Sequence, residues 1–298
     1  MRLFKYCFSI IVVSSLAAVG TGCNGKGDNK NGQQSDEEVA EMQFPENDIA
    51  RKEIKDLRNS IIKKDASEFA HNVSYPLQRP YPLHNIEDSA EMVKYFPTLV
   101  DDSLVNAVKK ASPEQWDSYG WRGWSFSSGE YFWYDGKLYA VNYVSNRERE
   151  MIDSLRNEDM NTIAPALRKG WLPVLCMRDT ANGTLYRIDE ETKSEGSEPL
   201  YRLAAYPGGN NTNAIPAMLF TGRREVEGTM GNQLYRFKDK NGNKAEFSDY
   251  EEDDDAMSII LIKAQGDTIE RAVRPVYWLD IVKKQQNSKT PQKPNLKK

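Results

Sequence analysis

Histidine is nearly absent: the 298 residues contain two, His71 and His84. Cysteine is scarce as well, with three residues, Cys7, Cys23 and Cys176. So few soft donors exclude a histidine-rich or cysteine-rich zinc site, and no metal is expected. Positive charge is not in surplus: 40 Lys and Arg against 44 Asp and Glu leave a formal net charge of −4. That balance argues against a nucleic-acid partner, because phosphate-backbone binding draws on excess cations that release counterions. Hydrophobic residues make up 39% of the chain, which excludes a polytopic membrane protein. Nucleophile-elbow, phosphate-loop and dinucleotide fingerprints are missing, so no cofactor is expected.

What is present begins at the N-terminus. Arg2 and Lys5 precede an apolar stretch from Phe8 to Val19, followed by Gly20, Thr21, Gly22 and Cys23. The apolar stretch is too short to cross a bilayer, and the order is that of an export signal. Small residues directly before a cysteine resemble the lipobox of bacterial lipoproteins. The resemblance implies a signal peptide over 1–22, diacylation of the Cys23 thiol and a membrane partner reached through that lipid. With Cys23 lipidated and Cys7 removed, Cys176 has no disulfide partner; in "WLPVLCM" it reads as a small buried hydrophobe. Residues 23–47 are polar at first and read as a flexible tether. The Ser35-Asp36-Glu37-Glu38 run resembles surface-export signals of Bacteroidota lipoproteins. The expected location is the outer membrane, on its periplasmic or cell-surface face.

Helical spacing of Ile54, Leu57, Ile61 and Phe69 predicts a helix from about Asp48 to Ala70. Prolines 76, 80 and 82 then demand extended chain. Asp88 with Glu91 predicts a capping box, Pro97 a break, Asp102 the cap of a second segment and Ser112 a further helical start. Ser145 with Glu148 predicts another capped helix, to about Asn157. The hairpin "WLPVLCMR"/"TLYRID" closes this half. A polar stretch at Asp189–Pro199 marks the expected boundary. Beyond it, strands at "LYRLAAY", "AMLFTG", "NQLYRFK", "AEFSDY", "SIILIKA", "TIERAV" and "VYWLDIV" alternate with turn signals such as Asn241-Gly242 and Gly266-Asp267. The fold class is therefore α+β, with an α+β unit over 48–190, a small antiparallel sandwich or barrel over 198–283 and a basic disordered tail over 284–298.

The order of long helix, "YPL" strand, "EMVKYFPTLVDDSLVNAV" helices and "GWRGWSFSSGEYFWYDGKLYAVNY" strands resembles the SnoaL-like, nuclear-transport-factor-like cone fold over about Asp48–Ser145. The resemblance implies a curved sheet wrapped around helices and enclosing a pocket. Its relatives include isomerases, dehydratases and cyclases as well as non-catalytic binding modules, so the fold does not decide function.

Four of the six tryptophans, Trp116, Trp121, Trp124 and Trp133, crowd into this strand region with Tyr131 and Tyr134. One reading is a two-sided core. The other is an aromatic platform for a glycan, peptide or protein, with Trp121, Arg122, Trp124, Tyr131 and Trp133 as contacts. The acidic run Asp249–Asp255 reads as a solvated loop, because consecutive carboxylates on extended chain cannot converge on one ion. Asp-Ser/Thr-aliphatic triplets at Ser89, Ser103, Ser154, Thr180 and Thr268 resemble an O-glycosylation signal of exported Bacteroidota proteins. The expected function is that of a non-catalytic, lipid-anchored envelope protein binding a ligand or partner. The alternatives are a hydrolase or isomerase working in the cone pocket, and an inhibitor or immunity-type protein presenting a loop such as "YPGGNNTNAIP".

Overall fold

α1 (Asp48–Lys63) turns Ile54, Leu57 and Ile61 inward to almost complete burial, as the helical spacing requires. The computed structural model describes residues 48–112, 115–119, 123–192, 198–209, 212–227, 232–253 and 256–289. The expected single first helix is two. Lys64 adopts the left-handed conformation (φ 55°) and ends α1, and Asp65 opens α2 (Ala66–His71) by accepting from the Glu68 amide. Between α2 and the next helix the proline-rich segment makes only isolated bridges, Val73 with Leu138 and Leu77 with Ile86, and carries cis peptide bonds before Pro76 and Pro82.

α3 (Ser89–Leu99) is capped by Asp88, which accepts from the Glu91 amide at 2.8 Å. The Glu91 carboxylate accepts from the Glu87 amide instead, so the expected capping box is half formed. Pro97 lies in the last turn of α3 and causes no break, because the helix ends two residues later in any case. α4 (Asp102–Lys110) is capped by Asp101, one residue earlier than expected. Of the helix expected from Ser112, residues 113 and 114 lie outside the described residues, and the chain enters a strand at Trp116. Four short antiparallel strands follow in meander order: β1 (Trp116–Ser118), β2 (Trp124–Phe126), β3 (Phe132–Tyr134) and β4 (Leu138–Val141). Phe126, Phe132 and Leu138 from this sheet pack with Leu57, Phe69 and Met92 from the helices in one apolar core.

α5 (Asn146–Thr162) carries the complete capping box expected of Ser145 and Glu148. It leads into eight strands: β5 (Trp171–Asp179), β6 (Leu185–Glu191), β7 (Tyr201–Tyr206), β8 (Met218–Glu227), β9 (Asn232–Lys238), β10 (Lys244–Asp253), β11 (Ala256–Ile262) and β12 (Thr268–Pro275). Each is antiparallel to the one before it, and β12 closes on β5 through Val273 opposite Asp179 and Pro275 opposite Met177. The result is a closed up-and-down barrel, which leaves no open sheet edge. The hairpin assigned by sequence to the first unit is thus β5 and β6 of the barrel. The polar stretch expected to divide two units connects two barrel strands, β6 and β7.

Inward side chains such as Met177, Tyr186, Leu203, Phe237, Phe247 and Ile259 retain almost no accessible surface. They fill the middle of the barrel, as eight strands permit. Every residue of β7 is buried because its outer face is covered too. The cover comes from α5 and from α6 (Trp278–Lys289), whose Trp278, Ile281 and Val282 pack on Cys176, Leu185 and Tyr206. "VYWLDIV" was expected as a strand and 284–298 as a disordered tail; the chain instead turns helical at Trp278 and stays so to Lys289. Residues 278, 281 and 282 follow helical spacing, and Pro275, which has no N–H, ends the ladder before them.

Two buried ionic joints tie the parts together. Arg79 grips Glu148 with Nε to Oε1 at 2.8 Å and Nη2 to Oε2 at 2.9 Å, and donates to the carbonyls of Val141 and Tyr143. On the barrel flank Arg187 pairs with Asp159 of α5 and, at 2.7 Å, with Asp189, which also accepts from Arg202 at 2.8 Å. Burial opposes the Arg187 charge, but the Asp189 and Asp159 carboxylates outweigh it and hold the guanidinium protonated. The guanidinium also lies 4.8 Å from the centre of the Trp278 ring.

Candidate functional site

A concavity lies on the barrel flank, where the end of β12, helix α6, the end of β5 and the turn after β7 meet. After Pro275 the Val276 amide donates to the Cys176 carbonyl at 2.9 Å, holding the exit of β12 against β5. α6 then turns its apolar side to the barrel. Gln285 of α6 donates to the Gly209 carbonyl at 2.6 Å, pinning the short turn Pro207–Gly209. These elements bound a groove of about 460 Å3, lined among others by Arg178, Gly209, Val276, Tyr277, Lys284 and Gln285. That volume suits a small ligand.

Gly209 is required where it stands. Its φ is +62°, and a Cβ there would come within 2.9 Å of the Gly183 carbonyl and 3.1 Å of Arg178 Nη1. Tyr277 is fixed from the opposite side. Its phenol accepts from the Asn85 amide at 2.9 Å, and its ring lies against His84 at 3.9 Å between centroids and parallel to Tyr81 at 6.4 Å. His84 Nε2 stands 3.4 Å from the Asp280 carboxylate, with side chains 58% and 43% exposed. The segment before α3 therefore reaches across to the C-terminal helix and forms one edge of the site.

Of the five residues expected to form an aromatic platform, Trp121 and Arg122 lie outside the described residues, as does the lipidation candidate Cys23. Trp124 and Tyr131 are half-buried and pack against the N-terminal core. Trp133 is half-buried beside Tyr119, 4.9 Å between ring centroids, and Gly129 leaves the space its indole fills. The aromatic crowding divides by face: Phe132 and Tyr134 are core, Tyr131 and Trp133 are rim. Tyr131 stacks on Tyr143, whose hydroxyl donates to Asp101 at 2.6 Å.

All five O-glycosylation candidates, Ser89, Ser103, Ser154, Thr180 and Thr268, are exposed. Cys176 is a free and fully buried thiol whose pKa burial pushes up, which fits the hydrophobe reading and not a nucleophile. Part of the acidic run forms the β10–β11 hairpin, with Asp253 opposite Ala256; Asp254 and Asp255 lie outside the described residues. Among the described residues no group of three or more His, Cys, Asp or Glu is placed to hold a metal ion, and no helix is long and apolar enough to cross a membrane.

The groove was not legible in the sequence. Its residues come from distant segments, Arg178 on β5, Gly209 after β7 and Lys284 on α6. The one available signal was the 278, 281, 282 apolar spacing after Pro275, which marks a helix laid on the barrel. No family model, curated protein or solved structure matches the chain.

Proposed function

We propose that this chain is a lipid-anchored cell-envelope protein that binds a small ligand or a partner segment without transforming it. The observation that carries the binding reading is the groove of about 460 Å3 at the junction of barrel, α6 and the His84 segment. The lipobox-like run ending at Cys23 and the polar tether after it support the anchored location, on the outer membrane. The middle of the barrel is filled with side chains, which directs binding to its flank rather than its interior. Tyr131 and Trp133, half-buried at the edge of the N-terminal sheet, offer a second contact surface on the N-terminal unit. Relationship of that unit to the cone fold remains part of the proposal; the support is its helices packed on a separate four-stranded sheet.

The second reading, an enzyme, draws on His84 and Asp280, a potential base and its orienting carboxylate. The pair is open to water, and no Ser, Thr or Cys is among the groove-lining residues to act as a nucleophile.

Screening the purified chain against arrays of neutral and acidic glycans and short peptides tests the binding reading. Binding that Gln285→Ala weakens tenfold or more, with the fold intact by circular dichroism, is the expected result. Binding untouched by changes in the groove but lost in Trp124→Ala and Trp133→Ala would move the site to the aromatic rim. No binding on any array would remove the reading.

A further inference from the structure

We infer that the groove is built for a ligand carrying a carboxylate; the inference rests on the binding reading above and names the chemistry of its ligand. Arg178 on β5 lies directly opposite Arg274 on β12 in the closing register of the barrel. Both are on the outer face, because their neighbours Met177 and Val273 belong to the interior cluster. Like charges directly opposite in a sheet are unfavourable. Of the two arginines, Arg178 lines the groove, and Lys284, one turn beyond Asp280 on α6, adds a second cation to the lining.

None of the three forms an ion pair with a described residue, although ion pairs are common elsewhere on the barrel and between the helices that cover it. Arg223 has Glu198, Arg236 has Glu225, and Lys283, the residue before Lys284, has Glu158. Asp280 is the carboxylate among the groove residues, and it stands beside His84 rather than beside an arginine. Positive charge therefore converges where the protein supplies little to balance it. Arg178 is also held in place: it donates to the Gly183 carbonyl at 3.4 Å, and Gly209 leaves the room beside its guanidinium. A guanidinium fixed in this way offers its remaining donors as a fork, the geometry that matches a carboxylate. Pro275, Val276 and Ile281 give the groove an apolar wall for the body of the ligand.

The test is isothermal titration of the full-length chain with digalacturonate and with the dipeptide Glu-Glu, beside the neutral probes cellobiose and Gln-Gln, and inorganic phosphate. One acidic probe is expected to bind at least tenfold more tightly than its neutral counterpart. Arg178→Gln and Lys284→Gln are each expected to weaken it tenfold or more, while Lys240→Gln in the β9–β10 turn leaves it unchanged. The two arms assign the carboxylate to a sugar acid or to an acidic peptide. Equal affinity for neutral and acidic probes would overturn the carboxylate assignment and leave the binding reading standing. Equal weakening by Lys240→Gln would overturn it in favour of diffuse attraction, and tighter binding of phosphate than of either acid would overturn it in favour of a phosphate site. Failure of every probe would overturn it as well, and the array screen then decides whether the groove binds at all.

Discussion

The Arg79 guanidinium and the Glu148 carboxylate form a two-pronged ion pair with no accessible surface on either side chain. Glu148 also accepts from Tyr95 at 2.9 Å and from the Ser145 amide at 3.0 Å. Removing one member leaves a buried charge without its partner, so Arg79→Met is expected to cost about 3–5 kcal/mol. Urea unfolding measures this. The double variant Arg79→Met/Glu148→Leu should lose less than the sum of the two single losses, because the second change removes the stranded charge.

The Arg187 network predicts an asymmetry between two neighbours. Arg187→Met leaves Asp159 without its cationic partner and Asp189 with Arg202 alone, and should destabilise by about 3–5 kcal/mol. Tyr206 packs against Trp278 with its ring, 5.1 Å between centroids, while its hydroxyl is buried without a hydrogen-bond partner among the described residues. Burial pushes its pKa up to about 12, so the hydroxyl stays neutral. Tyr206→Phe removes an unsatisfied polar group and is expected to leave stability unchanged or raise it by up to about 1 kcal/mol. Thermal unfolding of the two variants side by side checks the contrast.

Asp101 couples pH to the N-terminal unit. Burial would raise its pKa, but the Tyr143 hydroxyl and the amides of Leu104 and Asn146 outweigh it, and the net direction is below the ordinary 3.8. A carboxylate lowered on folding contributes stability that is present above the unfolded value and lost as pH falls through the folded one. Wild type should therefore exceed Asp101→Asn in melting temperature at neutral pH, and the gap should close as pH falls below 3.8. A gap constant with pH would contradict this role.

Gly209→Ala tests the turn that shapes the groove. Its positive φ and the 2.9 Å approach of the Gly183 carbonyl predict a loss of about 1–3 kcal/mol and displacement of Arg178. Gly136→Ala, at φ +66° with no atom within 4 Å, should cost less, since only backbone strain is involved. Chemical denaturation of both separates collision from strain.

Local signals carried much of the architecture. The Ser145 and Glu148 box, the Asn241-Gly242 turn and the strands at "LYRLAAY" and "NQLYRFK" each depend on a few residues, and each forms as read. Closure of the barrel does not, because Val273 finds Asp179 only after six intervening strands have fixed the curvature. "VYWLDIV" misled because a short apolar run serves a strand or a buried helix equally. The groove was hidden for a related reason: Arg178, Gly209 and Lys284 carry no common spacing, and only the barrel brings them together.

Cys23 decides whether the protein is held in the envelope by lipid. Native protein and Cys23→Ala should be purified from the same cells, weighed intact and partitioned between membrane and soluble fractions. The expected result is a mass beginning at Cys23 plus acyl chains and recovery with the outer membrane, both lost in Cys23→Ala. A soluble wild-type protein of unmodified polypeptide mass would contradict it.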